Sequence, residues 1–223
     1  MANNYSDMTG VLFLKKSTPV IRTLFGAFEL NENYPGNGEA YIANIAESTS
    51  CSWDSISDNI RDFLKELNLK LPDDAEDTVE EHLYVLAEHF GASDNYELSN
   101  MIENNIFDGD ADLDSLLFIA RAFDDGHGLT GFKAETSWSC DRPRLFEFGG
   151  SGEFRGIHFN TSGSSSEIIG LGARIDQALE VNDIPGAAKL INCKVQSLLS
   201  GINNPSTRLE IQTQLVSFMG KNH

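Results

Sequence analysis

Four carboxylates, Asp54, Asp58, Asp62 and Glu66, recur at i, i+4, i+8 and i+12. On a helix this spacing sets one acid per turn along one side, a carboxylate every ~6 Å of axis. Like charges four residues apart repel by roughly 0.2–0.5 kcal/mol per pair, and the interleaved Arg61 and Lys65 relieve part of that cost. Such a row attracts cationic groups, and Asp77, Glu80, Glu81 and Glu88 extend the supply of carboxylates into the next segment. An ordinary solvated helix face carries charge in the same way. Duplex DNA presents a charge every ~1.7 Å of axis, so one row is too sparse to imitate it unless the following helices add their acids.

Other residues invite different chemistry. Asp108, Asp110, Asp112 and Asp114 alternate along a loop. A calcium loop needs acids at positions 1, 3 and 5, glycine at 6 and glutamate at 12. Counted from Asp108, those last two places hold Leu113 and Ile119, so a polar turn ending in a helix cap is expected and no metal. His82 and His89 stand two helical turns apart, about 10 Å along an axis, whereas helical zinc motifs use i and i+4. They are expected beside a buried stripe of Leu83, Leu86 and Phe90.

Asp124-Asp125-Gly126-His127-Gly128 joins two acids and a histidine on permissive backbone. That is the composition for general acid–base work by a histidine oriented by a carboxylate, and equally of a helix end and turn. No serine in a nucleophile-elbow pattern accompanies it. Cys140 precedes Asp141 and Arg142 and is expected to pack at a strand end. Arg142, Arg144 and Arg155 have the chemistry to hold an anion, but in so acidic a chain they are expected to pair with its own helical carboxylates. Gly149-Gly150-Ser151-Gly152 has the composition of a phosphate cradle. It lies between two predicted strands and lacks a following Lys-Ser/Thr, so it reads as a hairpin turn. No catalytic residue, metal or cofactor is assigned.

The elements that must position these residues follow from periodicity. Gly10 to Lys16 reads as a strand. Thr18-Pro19 opens a helix with Val20, Ile21, Leu24, Phe25 and Phe28 inside. Asn33 to Gly38 is a turn, and Glu39 to Ala46 a second strand. Trp53, Ile56, Ile60, Phe63, Leu64 and Leu67 recur every three or four residues and predict an amphipathic helix over 53–68. Asp77 with Glu80, and Asp94 with Glu97, have the form of capping boxes for two further helices, and Asp112 caps a fourth. The period then changes to that of strands: Leu129 to Trp138, Arg144 to Phe148 and Glu153 to Phe159. Three helices close the chain. Ser164 and Glu167 box the first, Asp183-Ile184-Pro185 opens the second and Asn204-Pro205 the third. Ile168, Leu171, Ile175 and Leu179 are expected to pack in the first, Ala188, Ile191, Val195, Leu198 and Leu199 in the second, and Leu209, Gln212, Leu215 and Met219 along one side of the third.

This order predicts one α+β domain. An early strand pair and a late three-stranded meander (1–50 and 127–160) share an antiparallel sheet, an acidic helical insertion occupies 51–126, and helices fill 164–220.

The 223 residues carry a net charge of −18, distributed unevenly. Residues 1–50 hold 5 acids and 3 bases, residues 51–126 hold 20 and 4, and residues 127–223 hold 9 and 9. That imbalance excludes phosphate-backbone binding, which needs clustered Lys and Arg, and opposes anionic membranes. No apolar run approaches the ~20 residues of a membrane span. Three widely spaced cysteines make neither a disulfide framework nor a zinc site, which places the protein in a reducing, cytoplasmic setting.

The expected function is therefore non-enzymatic: an acidic helical face, built on Asp54, Asp58, Asp62, Glu66, Asp77, Glu80 and Glu81, docks a basic protein, in the limit by presenting DNA-like charge. The alternative is an enzyme with a site near Asp124, Asp125 and His127, or a metal-dependent one using the Asp108–Asp114 loop. A third possibility, a subunit of a larger assembly, predicts an exposed apolar patch instead.

Overall fold

The computed structural model describes residues 3–142, 145 and 147–220. The fold is α+β, with six strands in the order β2-β3-β1-β4-β5-β6 in one antiparallel sheet. The acidic helices are inserted between the early and late strands, as expected, and helices close the chain. By packing, the chain divides into two compact units: Asp7–Gly131, and the N-terminal residues through Ser6 together with Phe132 onward. The first holds 25 acids against 7 bases and the second 9 against 9, so the first carries the whole net charge.

In the acidic unit, β1 (Asn4–Phe13, of which Asp7 onward belongs here) pairs antiparallel with β3 (Glu39–Asn44), from Met8 opposite Asn44 to Phe13 opposite Glu39. The turn expected at Asn33 to Gly38 is largely an edge strand, β2 (Asn31–Gly36), which pairs with β3 through an irregular register. Its proline is tolerated because an edge strand needs ladder hydrogen bonds on one side only. Helix α1 (Pro19–Phe25) follows β1, and its Val20, Ile21, Leu24 and Phe25 are all buried. Four helices follow β3: α2 (Trp53–Glu66), α3 (Val79–His89), α4 (Tyr96–Asn104) and α5 (Leu113–Ala122). The periodic residues of α2, namely Trp53, Ile56, Ile60, Phe63 and Leu64, form its buried side. Phe90 stacks between Phe63 and Phe123 with ring centroids 6.5 and 5.4 Å away. Burying such rings stabilises the unit by roughly 1.5–3 kcal/mol each.

The caps show how finely local chemistry is read. Ser52 caps α2 by accepting from Ser55 N–H, and Asp112 caps α5 by accepting from Ser115 N–H. The caps of α3 and α4 lie one residue beyond those expected: Thr78 accepts from Glu81 N–H and Asn95 from Leu98 N–H, in place of Asp77 and Asp94. Each has extended backbone and an acceptor of the right reach, which frees both aspartates to face outward.

In the second unit, β4 (Gly131–Cys140, from Phe132 onward) pairs with β5 (Gly149–Arg155), and β5 with β6 (Asn160–Ser164). The meander exists, but its second and third strands lie C-terminal to the expected ones. The strand predicted over Arg144 to Phe148 falls partly outside the described residues, and Glu147 and Phe148 lie in no strand. The glycine run is itself strand, with Gly149 opposite Trp138 and Gly152 opposite Glu135. The reason is steric. A Cβ on Gly149 would stand 2.6 Å from the Trp138 ring, and one on Gly150 would stand 2.9 Å from the Thr136 carbonyl oxygen. Glycine here permits close approach rather than a turn.

Helices α6 (Ser165–Glu180), α7 (Ile184–Ser200) and α8 (Pro205–Gly220) end the chain. Ser164 and Asp183 cap the first two as expected. Helix α6 packs along α7 and against β5 and β6. The joint before α8 is pinned by Asn203, whose side chain donates to the Ile157 carbonyl and accepts from Asn160. The expected packing of these helices is found in part. Leu199 is buried and Leu171, Ile175, Val195 and Leu215 are half-buried, but Ile168, Leu179, Ile191, Leu198, Leu209 and Met219 are exposed, and α6 and α8 contain no buried residue.

Among the described residues no helix is long and apolar enough to cross a membrane. All three cysteines are free. Burial pushes the Cys51 thiol up to about 11, and it donates to the Ala27 carbonyl at 3.1 Å. Cys140 is also buried, and Cys193 is exposed. Cys193 is therefore expected to react first with an alkylating reagent near pH 8, with Cys51 and Cys140 labelled only after denaturation. Mass spectrometry of the modified peptides checks this.

Candidate functional site

The acidic row is built by the amphipathicity of α2. Its apolar residues turn inward against α1 and α3, so the positions between them face water. Asp54, Asp58, Asp62 and Glu66 are all exposed. Arg61, on the same helix, joins the row to the segment before α3: its Nη1 donates to Asp58 at 2.6 Å, and its Nη2 reaches Asp77 at 3.1 Å. Its Nε also donates to Asp77, so the guanidinium grips that carboxylate with two nitrogens. Lys65 pairs with Asp62 at 2.8 Å. The hydrogen bond from Arg61 holds the Asp77 carboxyl below the usual carboxylate range, and the one from Lys65 does the same for Asp62. Two bases thus offset part of the repulsion along the row, while among the described residues Asp54 and Glu66 enter no ion pair.

Glu80 and Glu81 lie half-buried in the first turn of α3, where the helix dipole favours them. Their charge is felt nearby. Tyr84 has its hydroxyl pKa raised by burial first, and then by Glu103, Glu81 and Glu80. Carboxylates from α3 and α4 therefore lie near one tyrosine, on α3, which packs against α2, and on α4, which packs against α3.

Beside the row lies a shallow groove of about 220 Å³, lined by Arg22 and Thr23 of α1 and by Asn59, Asp62, Phe63 and Glu66 of α2. It combines two carboxylates, one of them paired with Lys65, with the guanidinium of Arg22. Arg22, Thr23 and Asn59 were not legible as lining residues in the sequence. Nothing local marks them, because the groove exists only where α1 packs on α2.

The competing candidates fall into structural roles. His127 is buried, and both of its ring nitrogens are engaged by backbone. Nδ1 accepts from Leu129 N–H at 2.7 Å, and Nε2 donates to the Ala120 carbonyl at 2.9 Å. The Asp124 carboxylate stands 3.7 Å from Nε2, outside hydrogen-bond reach. Asp125 accepts from Val20 N–H at 3.1 Å and so completes the start of α1 across 105 residues of sequence. Thr18, the local cap, makes no such bond.

The Asp108–Asp114 loop is a backbone clamp. Trp53 N–H donates to the Gly109 carbonyl at 2.9 Å, and Ala111 N–H donates to that of Cys51 at 2.8 Å. Asp108 and Asp112 each accept from a backbone N–H. Among the described residues, no three His, Cys, Asp or Glu side chains form a group suited to a metal.

His82 is fully buried and His89 exposed. His82 Nε2 lies 2.8 Å from Asp77 Oδ1, an approach too oblique for a hydrogen bond. Arg155 meets Glu153 at 4.0 Å and donates to the Thr161 carbonyl, both in its own unit. Arg144 lies outside the described residues.

No protein-family model, curated protein or solved structure matches the chain.

Proposed function

We propose that this is a non-enzymatic binding protein whose acidic unit docks a basic protein partner through the outer face of α2 and the start of α3. One observation carries the reading: the whole net charge belongs to one unit, and the carboxylates of its most amphipathic helix face solvent in a row. Opposite potentials speed encounter and select partner and orientation. The unpaired Asp54 and Glu66 supply attraction at each end of the row, and Arg61 and Lys65 hold the middle carboxylates in place. The row's ~6 Å spacing suits a series of discrete basic side chains better than the phosphate spacing of a duplex. The free cysteines fit a reducing compartment such as the cytoplasm. The enzymatic reading is less well supported, since both nitrogens of His127 already serve the backbone.

The test substitutes Asp54, Asp58 and Asp62 with Asn and Glu66 with Gln. The surface ion pairs removed are worth about 0–1 kcal/mol each, so the fold is expected to stand. Immobilised protein is expected to retain basic proteins from lysate at low salt and release them near half-molar salt, where the Debye length falls to ~4 Å. The variant is expected to lose at least ~10-fold in association rate with a retained partner. Equal capture by the variant would sink the proposal.

A further inference from the structure

The second unit is short of a core. Among its described residues, the buried apolar side chains are Phe132, Ala134, Cys140, Ala187 and Leu199, two of them alanine. Helices α6, α7 and α8 nevertheless present large apolar residues to solvent. Ile168, Ile184, Ile191, Leu198, Leu209 and Val216 are between 46 and 71 % exposed. In α8 apolar and polar residues are interleaved with no apolar side, so the helix has no face to bury against its own unit. Sixteen residues with no buried face have little to hold them helical in water, since most helical stability in proteins comes from packing.

We infer that α6–α8 form a self-association face, and that a second copy of this chain covers it. Extent is the first argument. Ile168, Ile169 and Leu179 of α6 and Ile184, Ile191 and Leu198 of α7 are each 46 % exposed or more, on two helices that pack along one another, and large exposed apolar patches mark interaction sites.

Charge is the second. In a chain of net charge −18, residues 165–220 carry five acids and four bases, so two copies meet here without the repulsion their acidic units would impose. The basic partner proposed above finds no electrostatic attraction on this face.

Pattern is the third. Along α7, Ile184, Ala188, Ile191, Val195 and Leu198 alternate spacings of four and three, the repeat of a helix–helix seam. That alternation keeps its character when the chain direction is reversed. Two copies of α7 running antiparallel about a two-fold axis can therefore set the same residues against one another, as an isologous interface requires. The salt bridge of Lys194 with Glu167 at 2.7 Å ties α6 to α7 within one chain and leaves this stripe outward.

Sedimentation equilibrium on the full chain at micromolar concentration tests the inference. The expected mass is twice the 24.5 kDa of the chain, unchanged at half-molar salt because the face is apolar. Salt-insensitivity separates this result from the acidic docking, which salt abolishes, so either proposal can fail alone. Ile191→Asp with Leu198→Asp, both at positions exposed in the single chain, is expected to raise the dimer dissociation constant at least ~100-fold, with no more helical circular dichroism lost than fraying of the uncovered α8 accounts for.

Should that variant misfold, Ile191→Cys in a Cys193→Ser background decides. Oxidation is expected to yield a cross-linked dimer through the middle of the stripe. A wild-type chain that stays monomeric, a dimer indifferent to both substitutions, or an Ile191→Cys chain that does not cross-link overturns the inference. So does a monomer that binds neutral lipid vesicles through these helices, which would assign the face to a membrane surface.

Discussion

Trp53→Ala is expected to cost about 3–5 kcal/mol of the stability of the acidic unit. Trp53 is the first residue of α2 and is buried, with its ring meeting Phe107 edge-on at a centroid distance of 4.7 Å. Its backbone N–H donates to the Gly109 carbonyl, so the ring anchors the point where the Asp108–Asp114 loop clamps the start of the helix. Truncation leaves a cavity that the clamp resists closing, and interiors at normal packing density feel the loss of even one methylene. The consequence reaches function, because α2 carries the carboxylate row. Chemical denaturation followed by circular dichroism checks the prediction. Trp53→Phe is expected to retain most of the stability, since it keeps an aromatic edge for Phe107. A midpoint for Trp53→Ala close to that of the parent would mean that α2 is held by other contacts.

His127→Ala is expected to cost about 2–4 kcal/mol. The histidine joins the C-terminal turn of α5 to the approach to β4, through Ala120 on one ring nitrogen and Leu129 on the other. Its own carbonyl accepts from Lys15 N–H at 2.8 Å, which brings in the segment after β1. Alanine preserves that backbone bond but strips a buried N–H of its acceptor. An orphaned donor costs about 1–3 kcal/mol, and the lost ring adds a cavity. His89→Ala, at an exposed position, is expected to stay within about 0.5 kcal/mol and serves as the control. Thermal unfolding of the two variants side by side measures the difference. If His127→Ala were as stable as His89→Ala, the ring would not be holding the backbone, and an active role for the histidine would regain support.

The two proposals combine without depending on each other. A dimer formed through α6–α8 carries two acidic units, and two linked sites raise avidity for a partner that engages both. The apolar helices explain why a unit with so few buried residues is retained, and the acidic unit explains why the chain is so charged.

Much of this was determined by sequence alone. The α+β class, the helix α2, the helices α5, α6 and α7 with their caps, and the segregation of charge all follow from features spanning one or two turns. Examples are an acceptor three residues ahead of a free N–H, or an apolar residue every three or four positions. The exposed row of Asp54, Asp58, Asp62 and Glu66 was legible for the same reason, since the buried stripe of α2 dictates where the rest must point.

Tertiary structure decided what depends on distant partners. Asp125 completes α1 from 105 residues away, and His127 is held by two backbone groups on either side of a turn. The late strands shifted because a glycine run has no alternating side chains to set its register, and the Trp138 ring set it instead. The closing helices show the same division. Periodicity predicted an apolar stripe on each of the three, and on α8 the helix gathers none. On the first two a stripe states only that something must cover it. The three-dimensional arrangement showed that their own chain covers it only in part, at Leu199, Leu171, Ile175 and Val195, because most of what this sequence can bury lies in the other unit, around α1, α2 and α5.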